Sequence, residues 1–239
     1  MKYLFIIFLI PFISCNNSQK KAEKENWKTD DYINQKQILL TNEYRFGQSS
    51  SSGASAFLVE SKNNTSVICT AKHLLGDAMG ISPEVSSEDF SEKLDYWITY
   101  PRNNKLSNDT FKITELINKE INSTDIILME YDNIDANTIQ VLKPRLTTIK
   151  KGEKLEIIGC EYSDFSCHQK EYNAVMNEYD INGVMIIKST KTFDASGFSG
   201  APVIDKDGFV VGVLSGAAEF EGEYFLWVEP LTKVKQFFN

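Results

Sequence analysis

A heptapeptide, GFSGAPV, spans residues 197–203 and leads into the apolar run FVVGVLS at residues 209–215. It places Ser199 between Gly197 and Gly200, just before a hairpin of apolar strands. Glycine lacks a Cβ and adopts backbone conformations closed to other residues, so such a loop can present a nucleophile. The backbone N–H groups of Gly197 and Ser199 can then both point at one incoming oxygen, and a nucleophile beside such an oxyanion hole is what acyl transfer requires. For the heptapeptide alone, the alternative interpretation is a Gly/Ser β-turn.

Two other segments supply a histidine and an aspartate. The run TSVICTAKHLL, residues 65–75, has a β-branched strand that leads to His73, one of only two histidines in the chain. The run INSTDIILME, residues 121–130, places Asp125 at the start of an apolar strand. The chain order is therefore His73, Asp125, Ser199, which is one of the orders in which Ser-His-Asp triads occur.

Four short segments together resemble one family. They are Ser55–Val59 (SAFLV), Thr70–His73 (TAKH), Asp125–Leu128 (DIIL) and Gly197–Pro202 (GFSGAP). They are similar, in this order, to the Gly-[Ser/Thr]-Gly-Phe-Leu-[Val/Ile], Thr-Ala-Ala-His, Asp-Ile-Ala-Leu and Gly-x-Ser-Gly-x-Pro motifs of the trypsin-like (chymotrypsin-fold) serine peptidases. The likeness is to the bacterial branch that has few disulfides, and it extends from about Tyr44 to the C-terminus.

The resemblance implies a role for each of three side chains. Ser199 is expected to be the nucleophile, His73 the general base and Asp125 the group that orients the imidazole. Glu130 and Asp132 are alternative partners of the histidine if Asp125 is a surface turn residue. The alternative for the histidine itself is a purely structural role.

The resemblance also implies which residues bind the substrate. Ser215, Gly216 and Ala217 match the strand that pairs with the extended substrate backbone. Phe193 and Asp194, which precede the nucleophile loop, are expected to line the primary specificity pocket. Phe193 stands where trypsins carry their charged pocket residue, which favours an apolar or small pocket. Asp194 can still attract lysine or arginine if its side chain turns inward.

The features of zymogen activation are missing from the sequence. The Ile-Val-Gly-Gly start of an activation-cleaved zymogen does not occur. Phe198 replaces the buried aspartate that partners the new N-terminus in the family. The two departures agree with each other and predict an enzyme that needs no zymogen cleavage.

Short apolar segments bounded by turn signals recur along the chain and predict an all-β fold. The resemblance implies two six-stranded antiparallel β-barrels of the chymotrypsin type, at about residues 44–135 and 146–230, within a peptidase domain of residues 44–239. Apolar spacing near the end predicts a C-terminal amphipathic helix over residues 231–238. The expected strands are Ser55–Glu60, Ser66–Thr70, Tyr96–Tyr100, Phe111–Leu116, Asp125–Glu130, Lys154–Gly159, Val184–Ser189, Ala201–Ile204, Phe209–Leu214 and Tyr224–Val228.

The N-terminal residues 1–14 have the layout of a secretory signal, in which a positive charge precedes an apolar run too short to span a bilayer. The run ends in FISC, which resembles a bacterial lipoprotein box, although Phe12 stands where leucine is usual. This predicts lipidation of Cys15 and an exported protein anchored by lipid in the bacterial cell envelope, with the outer membrane favoured and the periplasmic or the surface face left open. The alternative is an ordinary cleaved signal. Residues 15–43 are expected to form a polar tether with a short helix near residues 30–40.

Cysteine usage follows from export, because disulfides persist in an oxidising compartment. Of the four cysteines, a lipidated Cys15 leaves three, which cannot all pair with one another. Cys160 and Cys167 flank a short polar loop and are a possible disulfide. Cys69 lies in the strand before the histidine and is expected to be a buried free thiol.

Charge and histidine content exclude two classes of partner. The net charge is −8, the pI is near 4.9, and no basic run is longer than Lys20-Lys21, so nucleic-acid binding is not expected. His168 lies in a polar stretch far from His73 and is expected to be exposed. Two distant histidines without clustered Cys/His pairs predict no metal site and no cofactor.

The leading hypothesis is an envelope-anchored serine endopeptidase that cleaves peptide or protein substrates through a triad and an acyl-enzyme intermediate. The second hypothesis is a catalytically silent peptide-binding module on the same fold. An esterase of the α/β-hydrolase type is disfavoured, because Ser199 is followed by a strand rather than a helix.

Overall fold

The computed structural model describes residues 24–62, 65–121, 123–132 and 138–238. Its strands, in chain order, are β1 (Leu40–Phe46), β2 (Ser49–Glu60), β3 (Ser66–Ala71), β4 (Leu94–Tyr100), β5 (Phe111–Leu116), β6 (Ile126–Tyr131), β7 (Lys154–Gly159), β8 (Lys170–Tyr179), β9 (Met185–Ser189), β10 (Pro202–Asp205), β11 (Val210–Phe220) and β12 (Glu223–Pro230). Strands β1-β2-β3-β6-β5-β4 close one antiparallel barrel, and β10-β11-β12-β9-β8-β7 close the other. The predicted all-β fold of two six-stranded barrels is confirmed.

Short helical segments connect the strands. Two are single-turn α-helices, α1 (Tyr32–Gln35) and α2 (Phe90–Lys93). The others are 3-10 turns at Lys72–Leu75, Asp77–Met79 and Leu231–Phe237. None of these segments contributes more than a turn or two, so the strands carry the fold.

Strand burial explains why β2 is central to the molecule. In β5, buried and exposed residues largely alternate, as expected for a strand with one face in a barrel core. In β2, by contrast, every residue from Gly53 to Val59 is buried. Its backbone also bonds outside the first barrel, because the Ser55 N–H donates to the Ser199 carbonyl at 2.7 Å and the Leu142 N–H donates to the Leu58 carbonyl at 2.9 Å. Strand β2 therefore joins the two barrels beside the nucleophile loop.

Two strands, β1 and β8, were not predicted from the sequence. In β1, Asn42 is fully buried because its amide nitrogen donates to the Ser55 carbonyl at 3.2 Å and its amide oxygen accepts from Trp97 Nε1 at 3.0 Å. Because this polar residue interrupts the apolar pattern of β1, a search for apolar runs does not detect the strand. In β8, polar and charged side chains cover most of the outward positions. Strand β11 also continues to Phe220, six residues beyond its predicted end.

Residues 24–39 pack on the folded body rather than forming part of the polar tether predicted for residues 15–43. Trp27 is only 6% exposed. Its ring lies against Gly208, in the turn between β10 and β11, where an added Cβ would be 3.1 Å from Trp27 Cζ2. Strand β1 begins at Leu40, before the predicted barrel boundary. The folded body therefore begins earlier in the chain than the sequence indicated, because burial of the Trp27 side chain holds this segment on the body although its sequence neighbours are polar.

The C-terminal segment is helical, as predicted, but it is not a continuous α-helix. Leu231–Phe237 forms 3-10 turns that are interrupted at Val234, where φ is −119° and ψ is 23°. Leu231, Val234 and Phe238 are nevertheless buried. The predicted apolar face packs on the body, and the turns that carry it are tighter than α-helical ones.

The predicted signal segment, residues 1–14, and the predicted lipidation site, Cys15, lie outside the described residues. Among the residues that are described, no helix has the length and apolar character needed to cross a membrane. Export and lipidation therefore stay predictions from the sequence.

Candidate active site

His73, Asp125 and Ser199 lie far apart in the sequence and meet where the two barrels join. His73 Nδ1 lies 2.6 Å from Asp125 Oδ2, and His73 Nε2 lies 2.7 Å from Ser199 Oγ. Both are hydrogen-bond distances. The His73 side chain is 28% exposed, so a substrate can reach the imidazole. The arrangement runs from carboxylate through imidazole to hydroxyl, which is the geometry that a Ser-His-Asp triad requires.

Strand pairing positions the histidine and the aspartate. Strand β3 ends at Ala71, and the next turn carries His73. Ala71 pairs with Ile126, the first residue of β6, so the end of one strand lies beside the start of the other. The Lys72 N–H donates to the Asp125 carbonyl at 3.2 Å, and the His73 N–H donates to Asp125 Oδ1 at 2.7 Å. One backbone–backbone bond and one bond from the His73 N–H to the Asp125 carboxylate thus hold the two residues side by side.

A serine of the second barrel also holds the aspartate. Ser215, on β11, donates its hydroxyl to Asp125 Oδ2, the same oxygen that lies beside His73 Nδ1. The sequence predicted Ser215 only as part of the substrate-binding strand. The contact with Asp125 was missed because it joins residues of different barrels, and no local pattern encodes such a pairing.

The two glycines of the nucleophile loop are required by its shape. Gly197 and Gly200 both have φ of +88°, a backbone conformation that side chains with a Cβ rarely adopt. A Cβ on Gly200 would lie 2.0 Å from the Ser55 carbonyl oxygen and 2.3 Å from Thr70 Oγ1. The Ser55 hydroxyl donates to the Gly197 carbonyl at 2.8 Å. The loop therefore lies directly on β2 and β3 of the first barrel, which brings Ser199 to the histidine.

The backbone before Ser199 forms a turn that leaves two donors free. The Phe198 N–H donates to the Ala195 carbonyl at 3.0 Å. Gly197 is the third residue of this turn, where a positive φ is typical of type II geometry. Within the described part of the chain, the N–H groups of Gly197 and Ser199 donate to no other group. Both are available to an oxyanion, as the sequence-based hypothesis requires.

Phe198 anchors this turn in the second barrel. Its side chain is fully buried, and a Cβ on Gly159 of β7 would lie 2.0 Å from Phe198 Cε1. The ring also packs on Tyr172 and Phe193, with centroid distances of 5.1 and 4.9 Å. Burial of such a ring contributes about 2 kcal/mol. An apolar anchor thus stands where the family has a buried aspartate.

The two residues predicted to line the primary pocket point to different environments. The Phe193 ring is half-buried and packs on Tyr172 at a centroid distance of 4.3 Å, with the ring planes tilted by 41°. Asp194 is exposed, and its Oδ1 accepts from the Ser196 N–H at 2.9 Å. Hydrogen bonds from the side chain and backbone of Ser196 lower the pKa of the Asp194 carboxyl. The carboxylate is therefore exposed and already accepts a hydrogen bond from its own loop.

The predicted substrate strand has an open edge. Strand β10 pairs with β11 only as far as Val213, whereas β12 pairs with Gly216, Ala217 and the residues that follow them on the other side. Within the described residues, Gly216–Phe220 has no strand partner on the edge that faces away from β12. An extended peptide can add to such an edge through main-chain hydrogen bonds.

A disulfide-closed loop borders the oxyanion turn. The sulfur atoms of Cys160 and Cys167, predicted as a possible disulfide, are 2.22 Å apart and close the loop between β7 and β8. Within it, the Tyr162 N–H donates to the Ser196 carbonyl at 3.1 Å. A Cβ on Gly197 would lie 3.4 Å from Tyr162 Cβ. Tyr162 therefore supports the turn from outside, a contact that no sequence pattern indicated.

The contacts that hold the triad do not include His168, Cys69 or Glu130. His168 is exposed, with Nδ1 2.8 Å from Ser166 Oγ and Nε2 2.8 Å from Lys105 Nζ. Cys69 is a buried free cysteine, and burial raises the pKa of its thiol. Glu130 is exposed, on β6. In the described ranges, no group of three or more His, Cys, Asp or Glu side chains is arranged to hold a metal ion.

Comparison with known proteins identifies the family. A profile of the trypsin-like peptidase domain matches residues 54–213, about two thirds of the chain. A search of curated proteins gave no match.

Several solved structures share the fold. The active form of the Rv3671c protease from M. tuberculosis is 16% identical, with a TM-score of 0.58 and coverage of 99% of this chain and 92% of that one. A serine endoprotease from Yersinia pestis is 17% identical, with a TM-score of 0.55 over 85% of this chain and only 62% of its own. The thermostable serine protease AL20 from an extremophilic microorganism is 14% identical, with a TM-score of 0.58 over 87% and 97%. By its domain, the chain belongs to the trypsin-like peptidase family and is a serine-type endopeptidase.

Proposed function

We propose that this protein cleaves peptide bonds with Ser199 as nucleophile, His73 as general acid–base and Asp125 as the group that orients the imidazole. The observation that carries the proposal is the continuous path of hydrogen-bond distances, 2.6 Å from Asp125 to His73 and 2.7 Å from His73 to Ser199. A serine hydroxyl is a weak nucleophile unless an adjacent base accepts its proton. His73 Nε2 stands where that base must be.

The reaction follows from these positions. Ser199 Oγ attacks the substrate carbonyl carbon while His73 Nε2 takes the hydroxyl proton, and the carbonyl oxygen becomes an oxyanion held by the N–H groups of Gly197 and Ser199. The tetrahedral intermediate then collapses, the C–N bond breaks, and His73 returns the proton to the leaving amine. Water, activated by the same imidazole, cleaves the acyl-enzyme and regenerates Ser199. Asp125 keeps Nδ1 protonated throughout.

The substrate is proposed to bind as an added strand on the open edge of β11. Alternate residues of Gly216–Phe220 direct their N–H and C=O groups away from β12, and main-chain pairing gives affinity that is largely independent of sequence. Peptides or unfolded segments of proteins are therefore the expected substrates.

Active-site labelling tests the chemistry directly. A fluorophosphonate probe should label Ser199 in the folded protein, and Ser199→Ala, the matched control, should take up none. The wild type should also turn over members of a broad peptide library that the variant leaves intact. An unlabelled wild type that binds peptides calorimetrically without cleaving them would instead establish the alternative, a catalytically silent peptide-binding module.

We also propose that the enzyme is exported and held in the bacterial cell envelope by a lipid on Cys15, with the outer membrane as its site. The support is the apolar run of residues 4–13 that stops at the FISC sequence. Cys15→Ala should move the protein from the membrane fraction to the soluble fraction, whereas Cys69→Ala should leave its partitioning unchanged. Equal partitioning of wild type and Cys15→Ala would refute the anchor.

A further inference from the structure

Four aromatic rings form a cluster next to the nucleophile loop, at the end of the second barrel. Phe193 is its centre, with centroid distances of 4.3 Å to Tyr172, 4.9 Å to Phe198 and 5.3 Å to Tyr224. Tyr172 and Phe198 belong to the barrel wall and to the oxyanion turn. Tyr224 comes from a different element, β12, and was not among the residues predicted to form the site.

Strand register directs Tyr224 toward the cluster. On β12, Tyr224 alternates with Leu226 and Val228, whose side chains are fully buried in the second-barrel core, so it faces the same side of the sheet. Burial raises the pKa of the Tyr224 phenol, and a hydrogen bond with the Ala195 backbone acts in the opposite direction. The side chain thus extends from β12 to the loop that carries the nucleophile.

The position of this side chain matters because two walls define the primary pocket. P1 is the substrate residue whose carbonyl carbon is attacked by Ser199. When the substrate pairs with β11 at Gly216, the P1 side chain lies between β11 and the loop of residues 193–197. Phe193 stands on the loop, and Tyr224 stands on the strand hydrogen-bonded to β11. Their edge-to-face contact, at 70° between ring planes, joins the two walls.

We propose that Tyr224, together with Phe193, closes the floor of the primary pocket and restricts P1 to small side chains such as glycine, alanine and serine. This specificity rests on the proposed function. A large P1 side chain can enter only by separating the two rings. A basic P1 side chain would meet the Phe193 ring, whereas the Asp194 carboxylate is exposed and accepts from the Ser196 N–H. Tyr224 is therefore a specificity-determining residue in addition to Phe193.

The test measures kcat/KM of the full mature protein on matched peptide amides that differ only at P1. Wild type should favour alanine over phenylalanine and over lysine by about tenfold or more, the usual discrimination of a pocket that is too small. Tyr224→Ala and, independently, Phe193→Ala should raise the phenylalanine-to-alanine ratio by about tenfold. Tyr224→Phe keeps the ring and should keep the wild-type ratio.

Two readouts separate this proposal from the proposed function. Fluorophosphonate labelling of Ser199 in wild type reports the catalytic groups without any P1 side chain, and its absence would count against the proposed function alone. Binding of the same P1 series to Ser199→Ala, measured by calorimetry, reports the pocket without turnover. Preference of the wild type for aromatic or basic P1, or an unchanged ratio in both alanine variants, would overturn the closed pocket. Thermal unfolding identifies a variant that has lost its fold. In that case the phenylalanine-to-alanine ratio of the other alanine variant tests the proposal.

Discussion

The two barrels hold their parts of the active site by different physical means. In the first barrel, His73 and Asp125 lie at the ends of adjacent strands, where β3–β6 pairing and hydrogen bonds from the N–H groups of Lys72 and His73 to Asp125 place them. In the second barrel, Ser199 lies on a loop that depends on individual residues. Gly200 allows the loop to lie on β2, and Phe198 anchors it in the core.

The active site is therefore robust around the histidine and fragile around the serine. Main-chain pairing spreads the positioning of His73 and Asp125 over many hydrogen bonds, so a change in one neighbouring side chain has a small effect. The position of Ser199, by contrast, depends on a few contacts of its loop. If one of them is lost, the neighbouring contacts do not take over its role. Substitutions around the histidine and around the serine should therefore differ in cost even when they remove similar groups.

The largest effect is expected at the two reacting groups, His73 of the first barrel and Ser199 of the second. Ser199→Ala and His73→Ala should each lower kcat by about 10⁶, and the double variant should be no slower, because the two groups act as one unit. The comparison is made by kcat on one peptide substrate for the three variants. A double variant slower by the product of the single effects would show that the residues act separately.

The next effect concerns Asp125, which faces the imidazole of His73, and Ser215, which donates to the Asp125 carboxylate. Asp125→Asn should lower kcat by about 10⁴, because an amide favours the wrong imidazole tautomer. Ser215→Ala removes one hydrogen bond and should cost only about tenfold, since the backbone of the first barrel still holds Asp125. Steady-state kinetics measure both. Equal losses would mean that the second barrel, rather than strand pairing, positions the aspartate.

A matched pair of glycines tests the fragility of the loop. Gly200→Ala should destabilise the protein by about 3 kcal/mol, because the new Cβ meets the Ser55 carbonyl at 2.0 Å and φ is +88°. Gly216→Ala is the control, since nothing lies within 4 Å of its Cβ position, and it should change stability by less than about 1 kcal/mol. Urea unfolding gives both values. Similar losses at the two positions would argue against close loop packing.

The smallest effect is expected from the loop that supports the oxyanion turn. Replacing both Cys160 and Cys167 by serine should reduce the free energy of unfolding by about 2 kcal/mol, because the closed loop is short. Labelling of Ser199 should also slow, since Tyr162 would hold the Ser196 carbonyl less firmly. Treatment with a reductant should reproduce the change in wild type and have no effect on the double variant. A wild type insensitive to reductant would contradict the prediction.

The sequence predicted most of the fold and the three central residues because each lies beside a strongly apolar strand. His73 follows β3, Asp125 precedes β6 and Ser199 precedes β10, so strand prediction and chemistry supported each other. Strands β1 and β8 were missed because their outward residues are polar and because Asn42 is satisfied inside the barrel by Trp97 and a backbone carbonyl.

The contacts that tune the site could not be predicted in the same way. Ser215 reaches Asp125 from the point where β11 shifts register, between Leu214 and Gly216. A shift of one residue exchanges the two faces of a strand, and no local signal marks where it occurs. The burial of Trp27 was missed for a related reason, since its binding surface is the β10–β11 turn, about 180 residues away in the chain.

The docked N-terminal segment limits how far an anchored enzyme can work from the lipid surface. The Glu25 N–H donates to the Asp207 carbonyl at 2.9 Å, and Lys28 pairs with Glu156, so the chain is fixed to the body from about residue 24. With a lipid on Cys15, as proposed, nine residues separate the membrane from the body, and a chain of that length spans at most about 32 Å. The active site would then stay within a thin layer beside the bilayer. Proteins that are inserted in the membrane or bound to it would be its accessible substrates.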